Sequence, residues 1–153
     1  MIEIADLLEK IRSNGHDLWI NGPTSASAIS ELEKKLSKKL PESLSNSISQ
    51  YGAISIYDDF VSGVIDDDAL KKIGGNIYAD TIELRNDYPA CPSNLWVLRS
   101  HEDGAYCIDL EAPTINGEYA IVNFEFDSYS TVANSFSEFI CQWCLQGWAE
   151  NPA

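Results

Sequence analysis

Apolar residues follow a helical period near both ends of this chain and a strand period between them. Ile4, Leu7, Leu8 and Ile11 share one face of a predicted helix over 2–13, with Gly15 beyond its end. Residues 17–20 are extended or loop and lead into the turn Asn21-Gly22-Pro23. Ile29, Leu32, Leu36 and Leu40 then recur at helical spacing. Thr24 or Ser25 can accept a hydrogen bond from the free amides at the start of that helix, and Glu31 sits toward its positive end. Lys34, Lys35, Lys38 and Lys39 crowd the carbonyl end and face away from the apolar stripe as a solvated positive surface. Pro41 closes this helix, because it lacks an N–H and disfavours a helical residue before it, and its fixed φ suits the first turn of the next. Leu44, Ile48 and Tyr51 continue the apolar face until Gly52 supplies a left-handed stop.

The middle of the chain changes period. Ala53–Tyr57 and Phe60–Ile65 read as short strands interrupted by Asp58-Asp59. Residues 66–76 suggest a capped helical turn or two, with aspartates at the start, Lys71-Lys72 near the end and Gly74-Gly75 beyond. Residues 78–88 are ambiguous by pattern alone, and Pro89 and Pro92 close them. Leu95–Arg99, Ala105–Leu110 and Tyr119–Phe126 are rich in aromatic and branched residues, and Asp103-Gly104 and Asn116-Gly117 are hairpin-type turn pairs. In the last strand Ala120, Val122, Phe124 and Phe126 alternate with Tyr119, Ile121, Asn123 and Glu125, which suits a sheet with one buried side. A final helix over 131–147 places Val132, Phe136, Phe139, Ile140 and Trp143 in one arc against that sheet. The order of elements predicts one α+β domain over residues 1–153: N-terminal helices, a central antiparallel meander and a C-terminal helix packed on the sheet.

Composition agrees with a single folded domain, since 153 residues with 44% hydrophobic and 10% aromatic content can bury a core. The net charge of −14 is unevenly placed. Residues 1–39 carry six basic and six acidic groups, and residues 40–153 carry four and eighteen, so the whole excess lies in the second part. Such a field repels nucleic acid and anionic membranes and speeds encounter with a basic partner; it also serves solubility alone. The N-terminal stretch mixes Glu3, Asp6 and Glu9 with its apolar residues, unlike a signal peptide, and no apolar run approaches the roughly 20 residues of a membrane span. The expected compartment is the cytoplasm, with Cys91, Cys107, Cys141 and Cys144 as free thiols.

No stretch carries a complete catalytic or metal signature. Cys141-Gln-Trp-Cys144 lies late in a helix, against the dipole that would activate a thiol, and Cys91 and Cys107 lack the paired spacing of a zinc knuckle. Read as a calcium loop from Asp66, the template fails at Lys71 and Ile77, so helix capping accounts for Asp66-Asp67-Asp68. His101-Glu102-Asp103 occupies a hairpin tip, and neither it nor His16 has a nucleophile in an elbow context. A carboxylate pair brought together by the fold is the one enzyme arrangement that spacing leaves open. Trp96 and Trp143 are expected in the core, whereas Trp19 and Trp148, near element ends, pack at the core edge or anchor a partner. No metal or cofactor is expected.

The string from Thr24 to Gly63 resembles the start of the SUKH superfamily, the group built around the yeast Smi and Knr cell-wall regulators. The resemblance rests on Ile29, Leu32-Glu33, Leu40-Pro41, Ser43 and Tyr51-Gly52, then on Tyr106-Cys-Ile-Asp-Leu110 and on the run Val132-Ala-x-Ser-Phe-x-Glu-Phe-Ile140. It covers residues from about Thr24 to Trp143, and Ser43, Ser45, Ser47 and Ser49 make the second helix unusually rich in serine. The resemblance implies helix over 78–88. It also implies a bacterial immunity protein that binds and neutralises a polymorphic or contact-dependent toxin, many of which are nucleases with basic clefts. A scaffold for signalling partners, as in yeast, is the second reading and a carboxylate-pair hydrolase the third. The side chains expected to meet a basic protein partner are Asp58, Asp59, Asp66, Asp67, Asp68, Glu102 and Asp103 on turns beside strands, with Trp19 and Tyr57 as aromatic anchors.

Overall fold

The computed structural model describes residues 3–153. Helix α1 (Ile4–Ser13) buries Leu7, Leu8 and Ile11, the face its periodicity predicts; the predicted start at Ile2 lies outside the described residues. Strand β1 (Leu18–Ile20) forms where sequence left extended chain or loop. Helix α2 (Ala26–Leu36) opens on Ser25, whose Oγ accepts the Ala28 N–H at 3.1 Å. It stops four residues before the predicted end. Ser37 turns left-handed at φ 57°, and the Glu33 carboxylate accepts the Leu40 N–H at 2.7 Å. Leu40 is thereby held outside the helix as the residue before proline. Lys38 and Lys39 therefore follow the helix instead of lining its last turn.

Helix α3 (Glu42–Tyr51) buries Leu44, Ser47 and Ile48. Ser43, two residues after the proline, donates from Oγ to Glu118 at 2.7 Å, tying the helix start to a distant connection. Gly52, at φ 69°, then passes so close to Asn21, Gly22 and Val64 that a Cβ would stand 2.6–2.8 Å from their atoms. A chain that must cross others this tightly needs glycine.

Strands β2 (Ile54–Ile56) and β3 (Asp59–Val61) join β1 in a three-stranded antiparallel sheet, order β1-β2-β3. Tyr57 and Asp58 form the connecting turn, both at positive φ, so Asp59 belongs to the strand and the interruption is one residue earlier than predicted. The second strand also ends at Val61, short of Ile65. The capped helical turn expected over 66–76 does not form. This stretch is a loop of turns whose ends meet in a parallel bridge between Gly63 and Asn76, with Asp66 and Asp67 both left-handed. Helix α4 (Ile77–Asp87) follows, as the family resemblance implies.

Strands β4 (Leu95–His101), β5 (Gly104–Pro113), β6 (Tyr119–Glu125) and β7 (Ser128–Ala133) form the antiparallel meander in sequence order. Strand β7 replaces the predicted start of the last helix at 131. The turn that creates it, Phe126-Asp127, is left-handed at both residues yet carries no glycine or asparagine to announce itself. Phe126 is thus 75% exposed instead of sharing the buried face of Phe124. The sheet is also covered on both sides. Ile108, Ile121 and Leu98 join the main core with α1, α2, α3 and the C-terminal helix, while Val97, Cys107, Val122 and Phe124 form a second core with Leu84 and Tyr88 of and beside α4.

The C-terminal helix begins at α5 (Phe136–Phe139), continues as a π-helical segment Ile140–Leu145 and ends as α6 (Gln146–Glu150). Ser135 caps it by accepting the Glu138 N–H at 3.0 Å. Val132 lies on β7, outside this helix. The wider π turn rotates the buried stripe from Phe136, Phe139 and Ile140 onto Cys144 and Leu145, leaving Trp143 44% exposed where a regular helix would have buried it.

Candidate functional site

Most of the predicted contact residues fall on three exposed turns, with Trp19 on β1 and Asp59 on β3, and the structure uses several of them internally. Asp67 Oδ1 accepts the Ser25 N–H at 2.7 Å, so it stands at the positive end of α2. That is the acid the helix needed. Glu31, assigned that place from sequence, lies in mid-helix, exposed. Asp66 pairs with Lys71 at 2.8 Å, and Asp68 accepts the Leu70 N–H at 3.2 Å. The loop carrying them is organised by Asn76, which is fully buried. Its Oδ1 accepts the Ile65 N–H at 2.6 Å and its Nδ2 donates to the carbonyls of Asp68 and Lys71 at 3.0 and 2.8 Å.

Asp80 supports the same loop from α4. It accepts from Ser62 Oγ at 2.6 Å and from the Gly75 N–H at 3.1 Å. Burial raises its carboxyl above the ordinary aspartate range, and those two hydrogen bonds pull the other way. Asp80 and Glu83 line a shallow cavity of about 220 Å³, but the Asp80 oxygens are already engaged in holding backbone and hydroxyl.

Around the small sheet, charge and aromatic rings sit together. Arg99 donates to both oxygens of Asp59, at 2.5 and 3.4 Å, and to the Trp143 carbonyl at 3.0 Å. Asp59 is therefore partly neutralised, whereas its neighbour Asp58 is exposed at the turn. Tyr57, 48% exposed, leans on Trp148 and places its hydroxyl 3.1 Å from His16 Nδ1. Trp19 lies on the opposite face from Leu18 and Ile20, 42% exposed, with its ring edge-on to Phe60. Of the two tryptophans expected at the core edge or as anchors, Trp148 packs at the core edge and Trp19 is exposed.

Three residues on from Arg99 begins the hairpin tip with Glu102 and Asp103, both exposed. His101, on the strand side, is held by Asn123 at 2.7 Å and rests against Tyr106. The pairing of Gly104 with Glu125 and of Glu125 with Ser128 brings the second tip, Phe126-Asp127, to the same end of the sheet. Glu125, Phe126, Asp127 and Trp143 complete this band. Sequence reasoning missed them, because the β6–β7 turn and the π segment that display them carry no local signal.

A positive counterpart exists on the far side. Lys35 lies over Tyr78, Lys38 over Tyr119 while donating to the Leu110 carbonyl, and Arg85 stacks 4.4 Å from the centre of Trp96. Lys35, Lys38 and Arg85 line a cavity of about 440 Å³. They serve as props between helices and sheet, so the face expected to be merely solvated also holds the fold. Cys91, Cys107 and Cys144 are free thiols, and burial pushes Cys144 up to about 12, opposite to the activation a redox pair needs. Among the described residues no group of three or more His, Cys, Asp or Glu could hold a metal ion, and no helix is long and apolar enough to cross a membrane.

The residues that carried the family resemblance are structural in this arrangement: Glu33 holds Leu40, Ser43 holds Glu118, and Gly52 makes the chain crossing. Compared with known families, the chain matches the SUKH_5 model, described as SMI1-KNR4 cell-wall, over residues 4–146. No curated protein matches it.

Proposed function

The chain belongs to the SUKH family of SMI1-KNR4 type, and from that premise we propose that it is an immunity protein, binding a toxin domain and blocking it without chemistry of its own. One observation carries this reading. Asp58 stands exposed on the turn it shares with Tyr57, and Glu102 and Asp103 on the tip of the strand whose Arg99 holds the Trp143 carbonyl, on a chain whose entire −14 lies in residues 40–153. An anionic rim with a few aromatic anchors suits a basic cleft, which charge steers into place and ring burial retains. Asp59, Asp66, Asp67 and Asp68 add to the field while serving the fold, and Trp19 is a second anchor on the small sheet.

Co-expression with a toxin encoded beside this gene tests the reading. Rescue of growth, with the two proteins co-purifying as a complex that falls apart as salt rises, is the expected result. A toxin left active in the presence of folded protein would refute it.

A further inference from the structure

The four-stranded sheet closes one edge and leaves the other open. Along β4 the Val97 N–H donates to Thr81 Oγ1 at 2.9 Å, and the Leu98 carbonyl accepts the Ser62 N–H at 2.7 Å. Helix α4 and the chain after β3 thus satisfy that edge. Strand β7 forms the other edge, and no further strand pairs with it among the described residues. Ser128, Tyr129, Ser130 and Thr131 are all exposed. An open edge presents a row of free backbone donors and acceptors, and proteins commonly guard one with lysine, proline or a covering loop. The run Ser128–Ala133 contains neither lysine nor proline.

The surroundings of this edge are apolar at one point and acidic around it. Tyr129 continues the cross-strand row of Ala105 and Phe124 beyond them, and is 45% exposed. Phe126, at the turn before it, is the most exposed large hydrophobic residue among those described. Glu102, Asp103, Glu125 and Asp127 gather at the same end, and no Lys, Arg or His lies within ion-pair distance of them among the described residues.

We propose that β7 is a docking edge for an extended, basic segment of a protein partner, which adds as a fifth strand. The inference rests on the immunity reading for the identity of that partner as a toxin. Main-chain hydrogen bonds along the six residues of β7 would supply affinity, and Phe126 and Tyr129 would take apolar side chains of the incoming strand. The four acids would meet its lysine or arginine side chains and set its direction. A second copy of this chain fits the edge poorly, since each brings a net charge of −14.

The test uses a synthetic peptide of about eight residues alternating lysine with valine or threonine, beside its glutamate counterpart, with amide exchange read residue by residue. The lysine peptide should slow exchange between Ser128 and Val132 and bind at least about tenfold more tightly than the glutamate peptide at low salt. Changing Tyr129→Lys and Thr131→Lys together should abolish that binding while leaving the thermal unfolding midpoint in place. Equal affinity for the two peptides, protection confined to other strands, or protection of β7 through dimerisation without peptide would each overturn the proposal. Toxin rescue without any β7 protection would remove this edge and leave the immunity reading. Peptide capture by β7 without rescue would do the reverse.

Discussion

Gly63 lies against Gly52 so closely that a Cβ on Gly63 would stand 1.8 Å from the Gly52 carbonyl oxygen. The Val64 N–H donates to that same oxygen at 3.2 Å, so the contact is a backbone crossing stitched by its neighbour. The crossing also sets where the acidic loop over 64–76 begins. Backbone cannot yield as a flexible side chain does, so Gly63→Ala should cost on the order of 3 kcal/mol or more. Urea unfolding would measure it. A loss below about 1 kcal/mol would mean that the crossing relaxes freely.

Asn76 should be nearly as unforgiving. Three hydrogen bonds run from one fully buried side chain to backbone on both sides of the loop. Asn76→Ala strands the buried Ile65 N–H, at about 1–3 kcal/mol, and releases the part-buried carbonyls of Asp68 and Lys71 toward water. Amide exchange at Ile65 should accelerate more than that at Ile108, which lies in the meander core. Uniform acceleration would instead signal global destabilisation.

What could be read from sequence was whatever depended on near neighbours. The apolar faces of α1, α2 and α3 follow from a period of 3.6, and the first hairpin of the meander from Asp103-Gly104, although its turn is Glu102-Asp103 and Gly104 already pairs with His101 on the strands. Strand β7 was hidden because Phe126-Asp127 adopts left-handed turn geometry without the residues that usually permit it. Trp143 was misplaced because one wide turn shifts the helix stripe by a residue. The acids were legible as acids but not as to their employment. Nothing local reveals that Asp67 reaches Ser25 or that Asp59 meets Arg99, contacts made across 42 and 40 residues.

Asp80 should give the protein a pH signature. Burial raises its folded-state pKa above the unfolded value, so protonation favours the fold. Its stabilising contribution is complete below the unfolded aspartate range and is lost as pH rises through the folded pKa. Near neutrality the ionised, buried carboxylate is a net burden on this linkage. Asp80→Asn retains an acceptor for Ser62 and Gly75 without the charge. The stability of wild type relative to this variant should therefore fall as pH rises from about 4 toward 7. Denaturant unfolding across that range gives the difference directly, and a flat or rising difference would contradict the assignment. Asp80→Ala should destabilise throughout, by about 1–3 kcal/mol, since it leaves the Ser62 hydroxyl and the Gly75 N–H without their partner.

The acids themselves divide into two classes that charge reversal can separate. Asp67→Lys removes the carboxylate at the start of α2 and places a cation against the helix's positive end, at a cost of about 1 kcal/mol or less for an exposed site. Its effect should register in unfolding and only weakly in association. Glu102→Lys and Asp103→Lys touch no hydrogen bond made by the replaced carboxylates, so stability should stay within about 0.5 kcal/mol. With the toxin as partner, both should slow association, the slowing should shrink as ionic strength rises, and dissociation should change less. Stopped-flow measurements at two salt concentrations make the comparison. If Asp67→Lys slows association as much as the tip variants while leaving stability intact, the loop, and not the hairpin end, faces the partner.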